Sequence, residues 1–275
     1  MTNLFNYIDR PSIVHKMTGA SKLICMLLWC LAVMTSFYTP LLLFMAVAAI
    51  VLFPVAKLKI KDVWIMLVGA VVFMILNNLL IYIFSPEHGV TIYGTRHVLF
   101  KIIGRYTVTL EQLLYHANLL LKYTASIPVI LLFVCTTDPS EFAASLNKIG
   151  VSYKISYAVA LSLRYIPDIQ REYHEINQAQ QARGIEMSKK ASLISRLKAA
   201  SLILIPLVLL SIDRVEIISN AMELRGFGKN KKRSWYSERA FSKMDFLAVG
   251  VCTFMFILSI AISIVNGSRF YNPFV

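Results

Sequence analysis

Between positions 63 and 84 the chain reads VWIMLVGAVVFMILNNLLIYIF, 22 residues without one charged side chain. As a helix this run measures about 33 Å at 1.5 Å per residue, the thickness of a bilayer's hydrocarbon core. Four further apolar stretches, 23–38, 40–56, 113–135 and 246–265, are long enough or nearly long enough to do the same. The first two are short and would need a locally thinned bilayer or extension through their flanks. The stretch at 113–135 carries one charge, Lys122. A lysine there has three uses open to it: snorkelling, lining a polar cleft or meeting a partner. With 57% of residues hydrophobic and a mean hydropathy of +0.63, the chain is expected to be an all-α polytopic membrane protein with about five transmembrane helices. Met1 to Lys22 is polar and leads to no small-residue cleavage site, so no signal peptide is expected.

A net charge of +13 raises the question of nucleic acid, but its distribution answers otherwise. Arg10, Lys16, Lys22 and the KLKIK run at 57–61 flank apolar spans, whereas the SFYTP turn between the first two spans has no charge. Basic residues in short loops mark the cytoplasmic side, which places the N-terminus inside and, after five spans, the C-terminus outside. The loop 86–110, with Glu87, Arg96, Lys101 and Arg105, is then external. Its runs GVTIYG and HVLFKIIGRYTVT are rich in β-branched and aromatic residues and suggest a short hairpin. The four cysteines, Cys25, Cys30, Cys135 and Cys252, lie in or at the ends of apolar spans without CxxC spacing or histidine neighbours. They read as packing residues, and no metal or cofactor is expected.

Residues 138–242 differ from the rest, holding 16 of the 28 Lys and Arg and 10 of the 15 Asp and Glu. Two apolar runs here, 155–163 and 199–212, are too short to span, and each continues into a charged amphipathic helix. The expected organisation is an N-terminal membrane domain over 1–137 with four spans, a cytoplasmic or interfacial domain over 138–242, and a C-terminal transmembrane helix and tail over 243–275.

Within 138–242 two helical segments end alike, at Ala182-Arg183-Gly184 and at Leu224-Arg225-Gly226. Glycine just past a helix accepts the left-handed conformation that closes it, and arginine in the last turn complements the helix dipole. Two well-capped helices would explain either ending alone. The pair carries more: Ala179 and Ala221 stand four residues before each arginine, on the same helix face, where a small side chain permits close approach. Each helix also contains an Ile-Pro step, at Pro167 and Pro206, which removes a backbone bond and bends the helix. Two bent helices, apolar at one end and finishing in a guanidinium at the other, suit docking to an acidic groove, because arginine's planar fork holds a carboxylate with two parallel bonds.

The segments SLRYIPDIQREYHEINQAQQARG and LILIPLVLLSIDRVEIISNAMELRG closely resemble the two coupling helices of the energy-coupling factor (ECF) transporter T component, the CbiQ/EcfT family. That family carries R-[FY]-I-P…A-Q-x-A-R-G and then P…R-x-E…A-M-E-A-R-G. The first pattern falls on Arg164 to Pro167, Ala179, Gln180 and Ala182 to Gly184. The second falls on Pro206, Arg214, Glu216, Ala221 to Glu223, Arg225 and Gly226, with Leu224 where alanine is usual. CTTDPSEFAASLNKIGVSYKIS and SIVHKMTGASKLI are similar to further family segments, the latter with Thr18-Gly19-Ala20 in place of Asp-Pro-Arg. The resemblance implies a membrane scaffold in a prokaryotic plasma membrane, joining two cytoplasmic ABC ATPase subunits to a substrate-binding S component for vitamin or metal-ion uptake. It implies ATPase coupling at Ala179, Ala182, Arg183, Gly184, Ala221, Leu224, Arg225 and Gly226, bends at Pro167 and Pro206, and an S-component platform at Leu161, Leu204 and Leu209.

Other classes fit less well. The spans contain no Asp or Glu, and His15, His88, His97, His116 and His174 are scattered without metal-site spacing, which argues against an intramembrane enzyme. A stand-alone transporter would use polar residues near the midplane. Asn77-Asn78 are the candidates, and interhelical hydrogen bonding explains them better. A conventional ABC permease would carry one coupling loop rather than two Arg-Gly ends. No GxxxxGK[ST] loop is present, so ATP is expected to be handled by another subunit.

Overall fold

The computed structural model describes residue 10 and residues 12–103, 106–185, 193–230, 235, 239–266 and 269–272. Arg105 of the external loop lies outside them. In chain order the elements are α1 (Ile13–Lys16), α2 (Gly19–Thr35), α3 (Thr39–Val55), α4 (Ile60–Phe84), α5 (His88–Tyr93), β1 (Val98–Ile103), β2 (Tyr106–Thr109), α6 (Leu110–Thr136), α7 (Pro139–Lys148), α8 (Tyr153–Ala182), α9 (Leu193–Leu224) and α10 (Lys243–Val265). The protein is all-α, with one two-stranded hairpin among the described residues. The chain divides into two compact units, Met1–Ser145 with Arg239–Val275, and Leu146–Glu238.

Among the described residues of the first unit, three helical segments are long and apolar enough to cross a bilayer: Val63–Phe84, Leu110–Thr136 and Lys243–Val265. The helices α2 and α3, of 17 residues each, sit at the short limit for spanning. The core lies where α2, α3, α6 and α10 meet. Ala32, Ala49 and Ala125 are fully buried there and let the backbones approach closely, and Trp29, Leu42, Met45 and Met255 fill the spaces between. Polar groups tie the same helices together. Trp29 Nε1 donates to the Ala125 carbonyl at 3.0 Å, and Ser259 Oγ to the Ala32 carbonyl at 2.9 Å.

Three polar side chains of the spans, Lys122, Asn77 and Asn78, make such contacts. Lys122 Nζ donates to the Met34 carbonyl near the end of α2 and stands 3.3 Å from the centre of the Phe37 ring. Asn77 Oδ1 accepts from Tyr123 Oη at 2.8 Å, and Asn78 Oδ1 lies 2.8 Å from His116 Nδ1, so both asparagines bind α4 to α6.

At its other end α2 begins at Gly19, four residues before its apolar run. Thr18 caps the helix, its amide donating to Asp245 at 2.9 Å, and the Gly19 amide donates to Glu141 at 2.9 Å. Both carboxylates are buried, and each satisfies an amide that α2 cannot pair internally. Lys22, also buried, donates to the Thr136 carbonyl at 2.8 Å.

The run HVLFKIIGRYTVT contains the expected hairpin, with Val98 opposite Thr109 and Ile103 opposite Tyr106. GVTIYG is helical instead: it lies in α5, which ends at a left-handed Gly94 and is held to α6 by the Gly89 amide donating to Gln112 at 2.7 Å. Tertiary contact overrides its β-branched composition.

Candidate functional site

The second unit is built on α8 and α9, helices of 30 and 32 residues that run without interruption through Pro167 and Pro206. Ser152 starts α8, its hydroxyl accepting from the Ile155 amide. Each proline lacks an amide hydrogen and so frees the carbonyl four residues earlier, at Leu163 and Leu202. At Leu202 the structure supplies a replacement: Gln180 Nε2, on the buried side of α8, donates to that carbonyl at 3.2 Å.

The two helices pair antiparallel. Gln180 meets Leu202, Glu172 forms an ion pair with Arg214, and Tyr157 packs on Phe227. Arg214 also lies over the Tyr165 ring at 5.5 Å. Between the helices runs a groove of about 810 Å³, lined by Leu161, Tyr165, Ile169, Ile218, Met222 and Phe227 among others.

Both Arg-Gly endings close in the same way. Arg183 is the cap residue of α8, Gly184 has φ +83°, the Gly184 amide donates to the Gln181 carbonyl at 3.0 Å, and the Ile185 amide donates to the Gln180 carbonyl at 3.2 Å. At the end of α9, Gly226 has φ +67°, its amide donates to Glu223 at 2.9 Å, and the Phe227 amide donates to Met222 at 2.9 Å. These are two Schellman closures in one register, and the positive φ of each favours glycine, which has no Cβ. The amides of Arg183 and Arg225 donate to the carbonyls of Ala179 and Ala221, each at 3.3 Å. Ala179, Ala182, Arg183, Ala221, Leu224 and Arg225 are all exposed, Leu224 at 90%.

Because the helices are antiparallel, the arginines stand at opposite ends of the pair. Arg183 is three residues past the Gln180 crossing, and Arg225 is 23 residues past Leu202 in the opposite direction, which at 1.5 Å per residue puts the ends about 39 Å apart along the pair. The candidate platform residues Leu204 and Leu209 are exposed at 53% and 57%, and with Ile205, Val208 and Ile212 they form an uncovered apolar stripe on α9. Leu161 is half-buried at the groove instead.

A family model described as cobalt transport protein, CbiQ, matches residues 11–235, most of the chain and both arginine-ended helices. The chain belongs to the CbiQ/EcfT family. Relatives named energy-coupling factor transporter transmembrane protein EcfT include one from Staphylococcus aureus, 24% identical over 88% of this chain and 90% of its own length. Another, from Lactococcus lactis subsp. cremoris, is 25% identical over 92% of this chain and 95% of its own. A third, from Leuconostoc gelidum subsp. gasicomitatum, is 30% identical over 55% of this chain and 59% of its own. Like other CbiQ/EcfT proteins, this chain is a multi-pass transmembrane component of an energy-coupling factor transporter.

Several residues that hold this site in place escaped the sequence reading. The Arg214–Glu172 pair, the role of Gln180, and the rings of Tyr153, Tyr157, Phe227 and Trp235 depend on which helix faces which. For Gln180 the sequence carries an indirect signal of that role: Pro206 leaves a carbonyl that some donor must satisfy.

Proposed function

We propose that this chain is the scaffold that couples two cytoplasmic ATPase subunits to a membrane-embedded substrate-binding S component in a prokaryotic plasma membrane. Arg183 and Arg225 are the docking ends, each seated in an acidic groove of its own ATPase with Ala182-Gly184 and Leu224-Gly226 beside it. Ala179 and Ala221 leave room for that approach. Closure of the ATPase pair on ATP moves the two ends, α8 and α9 carry the displacement past Pro167 and Pro206, and the apolar stripe around Leu204 and Leu209 passes it to the S component, with Leu161 of the groove as a further platform contact. The chain binds no ATP itself, and the S component selects the vitamin or metal ion.

The observation that carries this reading is the pair of identically closed arginine ends about 39 Å apart on one antiparallel helix pair. Dipole complementation explains one arginine at one helix end. It gives no reason for two exposed ends of matching geometry, joined by elements rigid enough to move together. The N-terminus, the 138–242 region and the short basic loops are assigned to the cytoplasm on the positive-inside rule. The test is purification of the chain in mild detergent from its own membranes. Two ATPase chains and one small membrane protein should accompany it in fixed ratio, and recovery of the chain alone, or with a soluble periplasmic-type binding protein, would contradict the reading.

A further inference from the structure

The two arginine ends close alike but are secured differently. Beyond Arg225 the closing residue is Phe227, whose ring centre lies 4.8 Å from that of Tyr157 and 5.2 Å from that of Tyr153, both in the first turns of α8. Trp235 completes the cluster at 6.1 Å from Tyr153 and 6.3 Å from Tyr157, and its Nε1 donates to Asn147 Oδ1 at 3.2 Å. Four aromatic rings thus tie the end of α9 to the start of α8, with Tyr153 buried at their centre. The residue at the matching place beyond Arg183 is Ile185, and among the described residues no ring cluster surrounds it. That end is held one turn earlier, from within the helix, by the Gln180 bond to Leu202.

We propose that Phe227, packed among Tyr153, Tyr157 and Trp235, is a positioning residue for Arg225, fixing the direction in which that end presents its guanidinium. The physical basis is short-range. Phe227 lies two residues after Arg225, and its amide closes the helix onto Met222. With the ring fixed, the Gly226 dihedrals are fixed, and so is the last turn bearing Leu224 and Arg225. Without it, the closure rests on a glycine, the residue with the most conformational freedom to regain. The ring separations fall in the range of favourable aromatic contacts, about 4.5–7 Å between centres. The two docking ends are therefore not mechanically equivalent. Arg225 moves as one body with the start of α8, whereas Arg183 follows the Gln180 crossing. The consequence for transport rests on the docking reading above, but the positioning itself concerns this chain alone.

The experiment has two arms. In the full-length chain in detergent, with Cys25, Cys30, Cys135 and Cys252 replaced by alanine, a nitroxide is attached to a single cysteine introduced at Leu224 or at Ala182. Phe227→Ala should shorten the rotational correlation time of the Leu224 label at least twofold and leave the Ala182 label unchanged. In the assembled transporter, Phe227→Ala should lower uptake at least fivefold at equal membrane expression, and Phe227→Tyr should restore it to within twofold, since the tyrosine keeps the ring. An unchanged Leu224 spectrum in Phe227→Ala, or uptake as poor in Phe227→Tyr as in Phe227→Ala, overturns the proposal. Failure of the docking reading has a separate signature: normal uptake in Arg225→Ala while the Leu224 label still responds to Phe227.

Discussion

Replacing Gln180 by leucine removes one hydrogen bond and little volume, and its cost should depend on a proline 26 positions away in sequence. Gln180 is buried at 8% exposure, and its Nε2 donates at 3.2 Å to the Leu202 carbonyl that Pro206 cannot serve. Leaving a buried acceptor unpaired costs about 1–3 kcal/mol. Leu202 is 37% exposed, so water reaches part of that site, and the low end of the range applies, about 1–1.5 kcal/mol. An alanine at 206 restores the amide four residues beyond Leu202, and the carbonyl then no longer needs the glutamine. Gln180→Leu should therefore cost about 1–1.5 kcal/mol alone but under about 0.5 kcal/mol in the Pro206→Ala background. The assay is a double-mutant cycle on unfolding free energies measured by denaturant titration of the detergent-solubilised chain. Costs that simply add, within about 0.5 kcal/mol, would show that the glutamine does not replace the missing amide.

Three further outcomes follow from the same structure. A cysteine placed at Phe100, which is 70% exposed on the hairpin, should react with a membrane-impermeant maleimide on intact cells, and one at the 90%-exposed Leu224 should be spared; the opposite pattern would invert the topology. Leu209→Glu should reduce copurification of the small membrane partner at least tenfold while retaining the ATPases, and selective loss of the ATPases would contradict the platform assignment. Lys122→Ala removes the bond to Met34 and the contact with the Phe37 ring. It should destabilise the first unit by about 1–3 kcal/mol, seen by denaturant titration, with substrate specificity unchanged; altered specificity at normal stability would make Lys122 a transport residue instead.

What the sequence made legible was whatever the bilayer or the backbone imposes locally. A charge-free run of 22 residues has few folded uses, and α4 occupies it. The Arg-Gly ends were legible because a left-handed closure favours glycine, and Gly184 and Gly226 both adopt it. Long-range partners were not legible. The start of α2 at Gly19 depends on Asp245 and Glu141, 227 and 122 positions away from the amides they accept. The helical state of GVTIYG depends on the hold α6 has on Gly89, which outweighs local preference. The motif letters already included Gln180 and Arg214, but the carbonyl one serves and the carboxylate the other meets appear only once α8 and α9 are paired.

The central claim is that Arg183 and Arg225 dock rather than merely cap. As capping residues, each replaced by alanine should cost about 0.3–1 kcal/mol of helix stability and leave transport nearly intact. As docking ends, each replacement leaves a partner carboxylate without its counter-charge, a loss of about 2–5 kcal/mol where the pair is buried, or at least about thirtyfold in affinity. The measurement is substrate uptake together with ATPase copurification for Arg183→Ala, Arg225→Ala and the double variant, at equal membrane expression. Each single replacement should cut uptake severely, and lysine should rescue only in part because it lacks the bidentate fork. The double replacement should release both ATPases, since two anchors on one rigid scaffold act together. Normal uptake by the double alanine variant would contradict the account and leave the arginines as helix caps.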